Sequence, residues 1–137
     1  MRLFFIVNII IVSFLLSGCI SKNSSIRLEN NHWKALSVKD KKILESERRE
    51  VSMLFSKGVV KGSSGCNGLG GRYTLDGNKL SFSDKGFMTT RMFCKDSIEP
   101  EFLKALKQVD SYKIYGDNLE LYDKNNRLLI KFELKNQ

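Results

Sequence analysis

The 137-residue sequence contains one histidine, one proline, one tryptophan and three cysteines. A single histidine without any C-x-x-C pair does not supply a metal-binding set, so we expect neither a metal nor another cofactor. One proline excludes a proline-rich linker protein, and the length excludes a multidomain enzyme, a TIM barrel or a complete dinucleotide-binding enzyme. The phosphate-loop pattern G-x-x-x-x-G-K-[ST] and the hydrolase pattern G-x-S-x-G are both missing. Because no catalytic residue can be named, we expect a protein that is not an enzyme.

The first nineteen residues combine a positive start, an apolar run and a cysteine. Residues 3–16 are apolar except for Asn8 and Ser13. A membrane-spanning helix needs roughly 20 apolar residues, so this run is short for a span and typical of a secretory signal. The string Leu16-Ser17-Gly18-Cys19 resembles the bacterial lipobox, in which an aliphatic residue, a small residue and Gly or Ala precede a cysteine.

The lipobox resemblance implies cleavage after Gly18 and acylation of Cys19. Each buried methylene contributes about 0.8 kcal/mol, so two or three acyl chains hold a protein on a membrane. We therefore predict a lipoprotein signal peptide over 1–18 and a lipid anchor at Cys19; an ordinary signal peptide that contains a cysteine is the alternative. Ile20 follows the cysteine. In proteobacterial lipoproteins such a residue favours the outer membrane, where the protein would face the periplasm.

The remaining chain divides into a polar tether and one domain. Residues 19–31 are rich in polar residues with mostly short side chains, which predicts a flexible tether. The domain is expected over 32–137. Two cysteines remain there, Cys66 and Cys94. An exported protein meets an oxidising compartment, so we expect a disulfide between them. A redox-active or metal-binding pair is the alternative interpretation.

The domain carries mostly strand signals. Apolar and polar residues alternate in six segments, over 33–37, 51–56, 79–83, 111–114, 118–121 and 128–134. Helical spacing occurs once, over 99–109, with Pro100 in the first turn and Ser97 or Glu99 as a cap. The charged residues 39–50 fit either a loop or a short exposed helix. We therefore predict a mainly β fold with one helix, closed as a barrel or a sandwich.

Two glycine- and cysteine-containing strings resemble one known family. Residues 62–73 read GSSGCNGLGGRY and look like the G-x-x-G-C-N-x-x-x-G-x-Y segment of the META domain family, also called the heat-shock protein HslJ family. Residues 90–94, TRMFC, are similar to its T-R-M-x-C segment. The resemblance extends over about 32–134. It places structural motif residues at Gly62, Gly65, Asn67, Gly71, Tyr73, Thr90, Arg91 and Met92.

The family resemblance implies a small antiparallel β-barrel-like domain with one helix, found in secreted and envelope proteins of bacteria. It implies no catalytic activity and a link to stress response and antibiotic tolerance. We therefore expect a non-enzymatic outer-membrane lipoprotein that contributes to envelope stress or antibiotic tolerance. The alternative is a binding module, either for an apolar ligand inside the barrel or as an inhibitor of an exported hydrolase.

The net charge of +8 bears on the partners. For an exported protein we expect no nucleic-acid partner. A membrane contacted through the lipid anchor, an envelope protein or an anionic envelope polymer are the partners that fit. A lysine-rich surface that is simply solvated explains the same charge.

Overall fold

The computed structural model describes residues 27–136. The predicted signal peptide, Cys19 and the tether up to residue 26 lie outside the described residues. Residues 27–136 form ten strands and one helix: β1 His32–Val38, β2 Lys41–Lys42, β3 Val51–Ser56, β4 Val59–Ser64, β5 Gly68–Asp76, β6 Lys79–Phe82, β7 Met88–Thr89, α1 Glu99–Leu106, β8 Ser111–Tyr115, β9 Asn118–Tyr122 and β10 Leu128–Leu134. Over this part of the chain, no helix has the length and apolar character needed to cross a membrane.

Eight of the strands close into an antiparallel barrel. Their order around the ring is β1, β3, β4, β5, β6, β8, β9 and β10, and β10 pairs back onto β1. The two-residue strands lie outside this ring, β2 beside β1 and β7 beside β5. Closure removes the exposed edges that an open sheet would present to other chains. The predicted mainly β fold with one helix is confirmed, and it takes the barrel form.

Large apolar side chains fill the barrel interior. Because successive side chains of a strand point to opposite faces of the sheet, every second one points into the barrel. The largest fully buried ones are Trp33, Phe55, Phe102, Phe132, Met53, Leu80, Leu106, Leu119, Leu121, Ile130, Val38 and Val51. Three of the helix residues are buried, because α1 packs against β1, β4 and β10 at one end of the barrel. The helix therefore closes this end, which we call the helix end.

The glycine-rich string lies in two strands, β4 and β5, where the sequence predicted none. Glycine is depleted in strands, but at Gly62 it is required. A Cβ atom there would lie 1.9 Å from the carbonyl oxygen of Ser52 on β3. At Gly71 a Cβ atom would lie 2.7 Å from the ring of Phe87. The motif glycines thus allow neighbouring elements to approach closely within the sheet.

The helix is shorter than predicted, and a carboxylate far away in the sequence accepts a hydrogen bond from its N-terminus. It ends at Leu106 instead of residue 109, because the N–H groups of Gln108 and Val109 bond to carbonyls three residues back. Its N-cap is Ile98, whose N–H donates to the Glu47 carboxylate at 3.1 Å. The predicted cap Ser97 accepts a hydrogen bond from the N–H of Glu99 at 3.1 Å.

The charged segment 39–50 is neither a helix nor a detached loop. It contains β2 and then turns and bends that lie against the helix end. Glu47 holds the first turn of α1, and Lys41 Nζ lies 2.6 Å from the Glu101 carboxylate. The segment therefore forms part of the closure of the barrel.

Packed structure begins before His32, where we expected the domain to start. Leu28 is buried, and its carbonyl accepts a hydrogen bond from the Trp33 indole at 2.9 Å. Glu29 forms a β-bridge to Phe55 and accepts a hydrogen bond from the Tyr73 hydroxyl. Residues 28–31 therefore belong to the domain.

Candidate functional site

The two motif strings meet at the helix end of the barrel. The turn between β4 and β5 carries Cys66 and Asn67, and residues 90–95, which we call the 90–95 loop, lie beside it. Cys66 and Cys94 form a disulfide with an S–S distance of 2.02 Å and Cα atoms 5.9 Å apart. Gly65, at φ +97°, makes the turn that brings Cys66 to this place.

Asn67 holds the 90–95 loop through its side-chain amide. Its Oδ1 accepts hydrogen bonds from the Met92 N–H and the Thr90 hydroxyl, both at 2.8 Å. Its Nδ2 donates to the Met92 carbonyl at 3.1 Å and to the Glu99 carboxylate at 2.9 Å. An amide offers two donors and two acceptor positions, so this buried side chain is fully used.

Glu99, the first residue of α1, supports Asn67 from behind. Its carboxylate accepts hydrogen bonds from the Asn67 backbone N–H at 3.1 Å and from the buried Ser64 hydroxyl. The sequence predicted only a helix-capping role for Glu99 and gave no role to Ser64. No local signal could reveal the contact, since 35 residues separate the two partners.

The outer face of the 90–95 loop is exposed. Thr90, Met92 and Cys94 are fixed by the contacts with Asn67, Gly68 and Cys66, whereas the residues between them are not. Arg91 is exposed, and Phe93 has 91% of its surface in water. The site thus consists of an immobilised loop that presents an aromatic side chain.

Tyr73 belongs to the core, away from the 90–95 loop. Its ring meets that of Phe55 edge-on, with centroids 5.2 Å apart. Burial and the hydrogen bond to Glu29 raise the pKa of Tyr73 to about 12. Gly62 and Gly71 likewise serve close packing in the sheet. Four of the predicted motif residues lie at the 90–95 loop: Gly65, Asn67, Thr90 and Met92. Arg91 also lies in this loop, and its side chain is exposed.

A second polar cluster lies on the outer face of β8 and β9. The largely buried Glu120 accepts hydrogen bonds from the hydroxyls of Tyr115 and Tyr122. Burial alone would raise the pKa of Glu120, but these two bonds and the nearby Lys131 and Lys113 hold it below its usual range. The bond to Glu120 and burial raise the pKa of Tyr122 to about 12. The cluster is satisfied internally.

The described residues offer little for catalysis. Within 27–136, no group of three His, Cys, Asp or Glu side chains is placed to hold a metal ion. The carboxylates of Glu47 and Glu99 are engaged with backbone, amide or hydroxyl donors. His32 is exposed at the start of β1. A surface groove of about 740 Å³ lies outside the barrel, between β1 and residues 42–51.

Comparison with known proteins gives a family and a fold. The fold is similar to the NMR structure of a protein from Burkholderia xenovorans, with a TM-score of 0.64, 24% identity, and 80% of this chain and 85% of that chain covered. It is also similar to the crystal structure of a DUF4847 family protein from Bacteroides vulgatus, with a TM-score of 0.58, 15% identity and coverage of 80% and 96%. These likenesses show the fold alone, and no curated protein matches the sequence.

The family assignment rests on a match over most of the sequence. The META domain model matches residues 26–136, a range that includes both motif strings and all ten strands. The chain belongs to the META domain family.

Proposed function

We propose that the chain is an exported lipoprotein, anchored in the outer membrane through Cys19, whose META domain acts without a catalytic step in envelope stress or antibiotic tolerance. The observation that carries this proposal is the Cys66–Cys94 disulfide, which joins the two motif strings. The lipobox resemblance over residues 16–19 supports the membrane location.

The disulfide supports export because such bonds persist in oxidising compartments and are rare in the cytosol. It closes a loop with a sequence separation of 28 residues. In the chain-entropy model a loop of this size stabilises a fold by roughly 3–4 kcal/mol. Small domains have total stabilities of about 5–15 kcal/mol, so the domain would depend strongly on oxidation. A lipid anchor would keep it in the compartment where the bond forms.

Mass spectrometry of the intact protein from native membranes tests the lipid anchor and the disulfide. We expect an N-terminal triacylated Cys19 and a mass increase of about 2 Da on reduction. The Cys19→Ala variant is the matched control, because it keeps Cys66 and Cys94 but removes the acylation site. An unlipidated chain, or free thiols in the native protein, would contradict the proposal.

A deletion strain tests the role in the envelope. We expect the deletion to increase susceptibility to envelope-active antibiotics and the wild-type chain to restore tolerance. Cys19→Ala should fail to restore it if the anchor is required. Equal restoration by both chains would contradict the need for the anchor, and no change on deletion would contradict the role of the chain in tolerance.

A binding module is the second candidate, and the exposed Phe93 favours the form that docks on a protein. Side chains such as Trp33, Phe102 and Phe132 occupy the barrel interior, which argues against an apolar ligand held there. Phe93, by contrast, is 91% exposed on a loop fixed by Asn67 and a disulfide. This arrangement supports a partner that receives the side chain.

A further inference from the structure

We propose that the 90–95 loop is a substrate-like segment that enters the cleft of an exported serine peptidase, with Phe93 filling an apolar primary pocket. This inference rests on the second candidate of the proposed function, the hydrolase inhibitor, and names its partner class and contact residue. It does not depend on the lipid anchor.

The backbone of the loop is available in an alternating pattern. Met92 uses both its N–H and its carbonyl on the Asn67 side chain. Among the described residues, the backbone groups of Arg91 and Phe93 have no hydrogen-bond partner. An extended peptide that docks in a cleft pairs every second residue through its main chain and inserts alternate side chains into pockets. The loop therefore offers the two residues that a cleft would pair.

The apolar, exposed side chain of Phe93, and not the charged one of Arg91, suits an apolar pocket. A cleft that receives Phe93 would pair with the main chain of Phe93 and of Arg91, two residues before it, and within residues 27–136 neither has a main-chain partner. Phe93 is also the most exposed large apolar side chain among the described residues, at 91%.

The scaffold fixes the loop before any partner arrives. Asn67 holds Thr90 and Met92, and the disulfide holds Cys94. Thr90 also forms two hydrogen bonds with Gly68, each 3.1 Å long: its N–H donates to the Gly68 carbonyl, and its hydroxyl accepts from the Gly68 N–H. A segment fixed in its bound conformation loses less entropy on binding, which increases affinity. The exposed charges beside Phe93 are Arg91, Lys95 and Asp96. Their positive balance fits a cleft with an acidic rim.

The disulfide also determines the fate of the peptide bond after attack. The peptidase serine oxygen would add to the Phe93 carbonyl carbon, the bond to the Cys94 nitrogen would break, and that nitrogen would receive the proton. Cys94 remains attached to Cys66, so the amine stays next to the acyl-enzyme. Its return to the carbonyl reforms the peptide bond, frees the serine and returns the proton. The loop would therefore be cleaved slowly and bound persistently.

Inhibition kinetics with two peptidases of different specificity test the proposal. The full-length chain, oxidised and in detergent, is titrated against chymotrypsin, which has an apolar primary pocket, and trypsin, whose pocket is acidic. We expect one-to-one inhibition of chymotrypsin and none of trypsin. Phe93→Ala should weaken inhibition at least about 100-fold. Phe93→Lys should transfer the inhibition to trypsin.

Met88 provides the matched control. It is 81% exposed on β7, close to the loop but outside it. Met88→Ala should leave the inhibition constant within about twofold, since exposed contacts outside an anchor contribute little. An equal loss from Met88→Ala and Phe93→Ala would replace the pocket model with non-specific apolar adhesion. Unchanged melting temperatures would show that each variant is folded.

Three further results would overturn the inference. One is the absence of chymotrypsin inhibition by the folded, oxidised protein. Another is rapid cleavage of the loop without a persistent complex. The third is Phe93-dependent sedimentation with anionic phospholipid vesicles in the absence of peptidase inhibition, which would assign the loop to a membrane. Acylation of Cys19 is measured separately, so each of these failures leaves the lipoprotein proposal standing.

Discussion

The β8–β10 side of the barrel and the motif side are stabilised in different ways. On the β8–β10 side, neighbouring strands follow one another in the sequence, and Gly116 and Asp117 alone separate β8 from β9. The motif side comprises β4, β5, the 90–95 loop and α1. Its connections reach across 25 residues between Asn67 and Met92, 28 between the cysteines and 35 between Ser64 and Glu99.

The β8–β10 side is stabilised by apolar residues that follow a local sequence pattern, whereas the motif side is stabilised by polar contacts between residues far apart in the sequence. Apolar side chains such as Leu119, Leu121 and Phe132 stabilise β8–β10 by burial, which is shared among many contacts. The motif side depends on a few residues that have no substitute, because each satisfies a partner far away in the sequence. Single changes should therefore damage the motif side more selectively.

The largest expected effect comes from Gly62→Ala. The new Cβ atom would lie 1.9 Å from the Ser52 carbonyl oxygen, so β3 and β4 would have to separate. We expect a loss of about 4 kcal/mol or more in the free energy of unfolding, measured by urea denaturation.

Gly70→Ala is the matched control on the adjacent strand. Its Cβ atom would meet only the Val60 carbonyl oxygen, at 3.8 Å, and Gly70 is not among the residues with positive φ. We expect a change within about 0.5 kcal/mol. Equal losses at both glycines would show that glycine serves strand flexibility here and not close approach.

Removal of the disulfide should have the next largest effect. Cys66→Ala combined with Cys94→Ala, or reduction of the wild-type protein, should lower the unfolding free energy by roughly 3–4 kcal/mol. The far side of the barrel, β8–β10, should retain more hydrogen-exchange protection than the 90–95 loop. Uniform loss of protection would contradict the division into two differently stabilised regions.

The two sides also differ in what the sequence could predict. Alternation predicted β8, β9 and β10, because that signal is local. On the motif side, only α1 was predicted, from the equally local spacing of its apolar residues. The sequence did not predict β4 and β5, since their glycines weaken the strand signal and a close approach is visible only in three dimensions. The contacts of Asn67 with Glu99 and of Glu47 with Ile98 likewise join segments that no periodicity relates.

Asn67→Ala tests whether one amide organises the 90–95 loop. It removes four side-chain hydrogen bonds, so the N–H and the carbonyl of the half-buried Met92 lose the Asn67 amide, while Glu99 keeps the Ser64 hydroxyl and the backbone N–H of residue 67. We expect a loss of about 2–3 kcal/mol, with the loop amides exchanging faster. Asn125→Ala, at an exposed position between β9 and β10, should change stability by less than about 0.5 kcal/mol. Unchanged exchange at Met92 in the Asn67 variant would show that the disulfide alone fixes the loop.

The smallest effect should come from the tyrosines, one on each side of the barrel. The pKa of Tyr73 and of Tyr122 is raised from 10.0 to about 12, the first mainly by burial and the second mainly by its bond to Glu120. A raised pKa in the fold means that this stabilisation is complete below pH 10 and is lost as the pH rises towards 12. Ultraviolet titration of tyrosinate should show Tyr73 and Tyr122 among the late-titrating groups of the folded protein, and Tyr73→Phe and Tyr122→Phe should each remove one. The bond to Glu120 also raises the pKa of Tyr115. Tyr122→Phe should cost about 1 kcal/mol at neutral pH, whereas Tyr112→Phe, which removes a hydroxyl without a hydrogen-bond partner among residues 27–136, should cost less. If all tyrosines of the folded protein titrated together near pH 10, the hydroxyl–carboxylate bonds on both sides would be too weak to distinguish the regions.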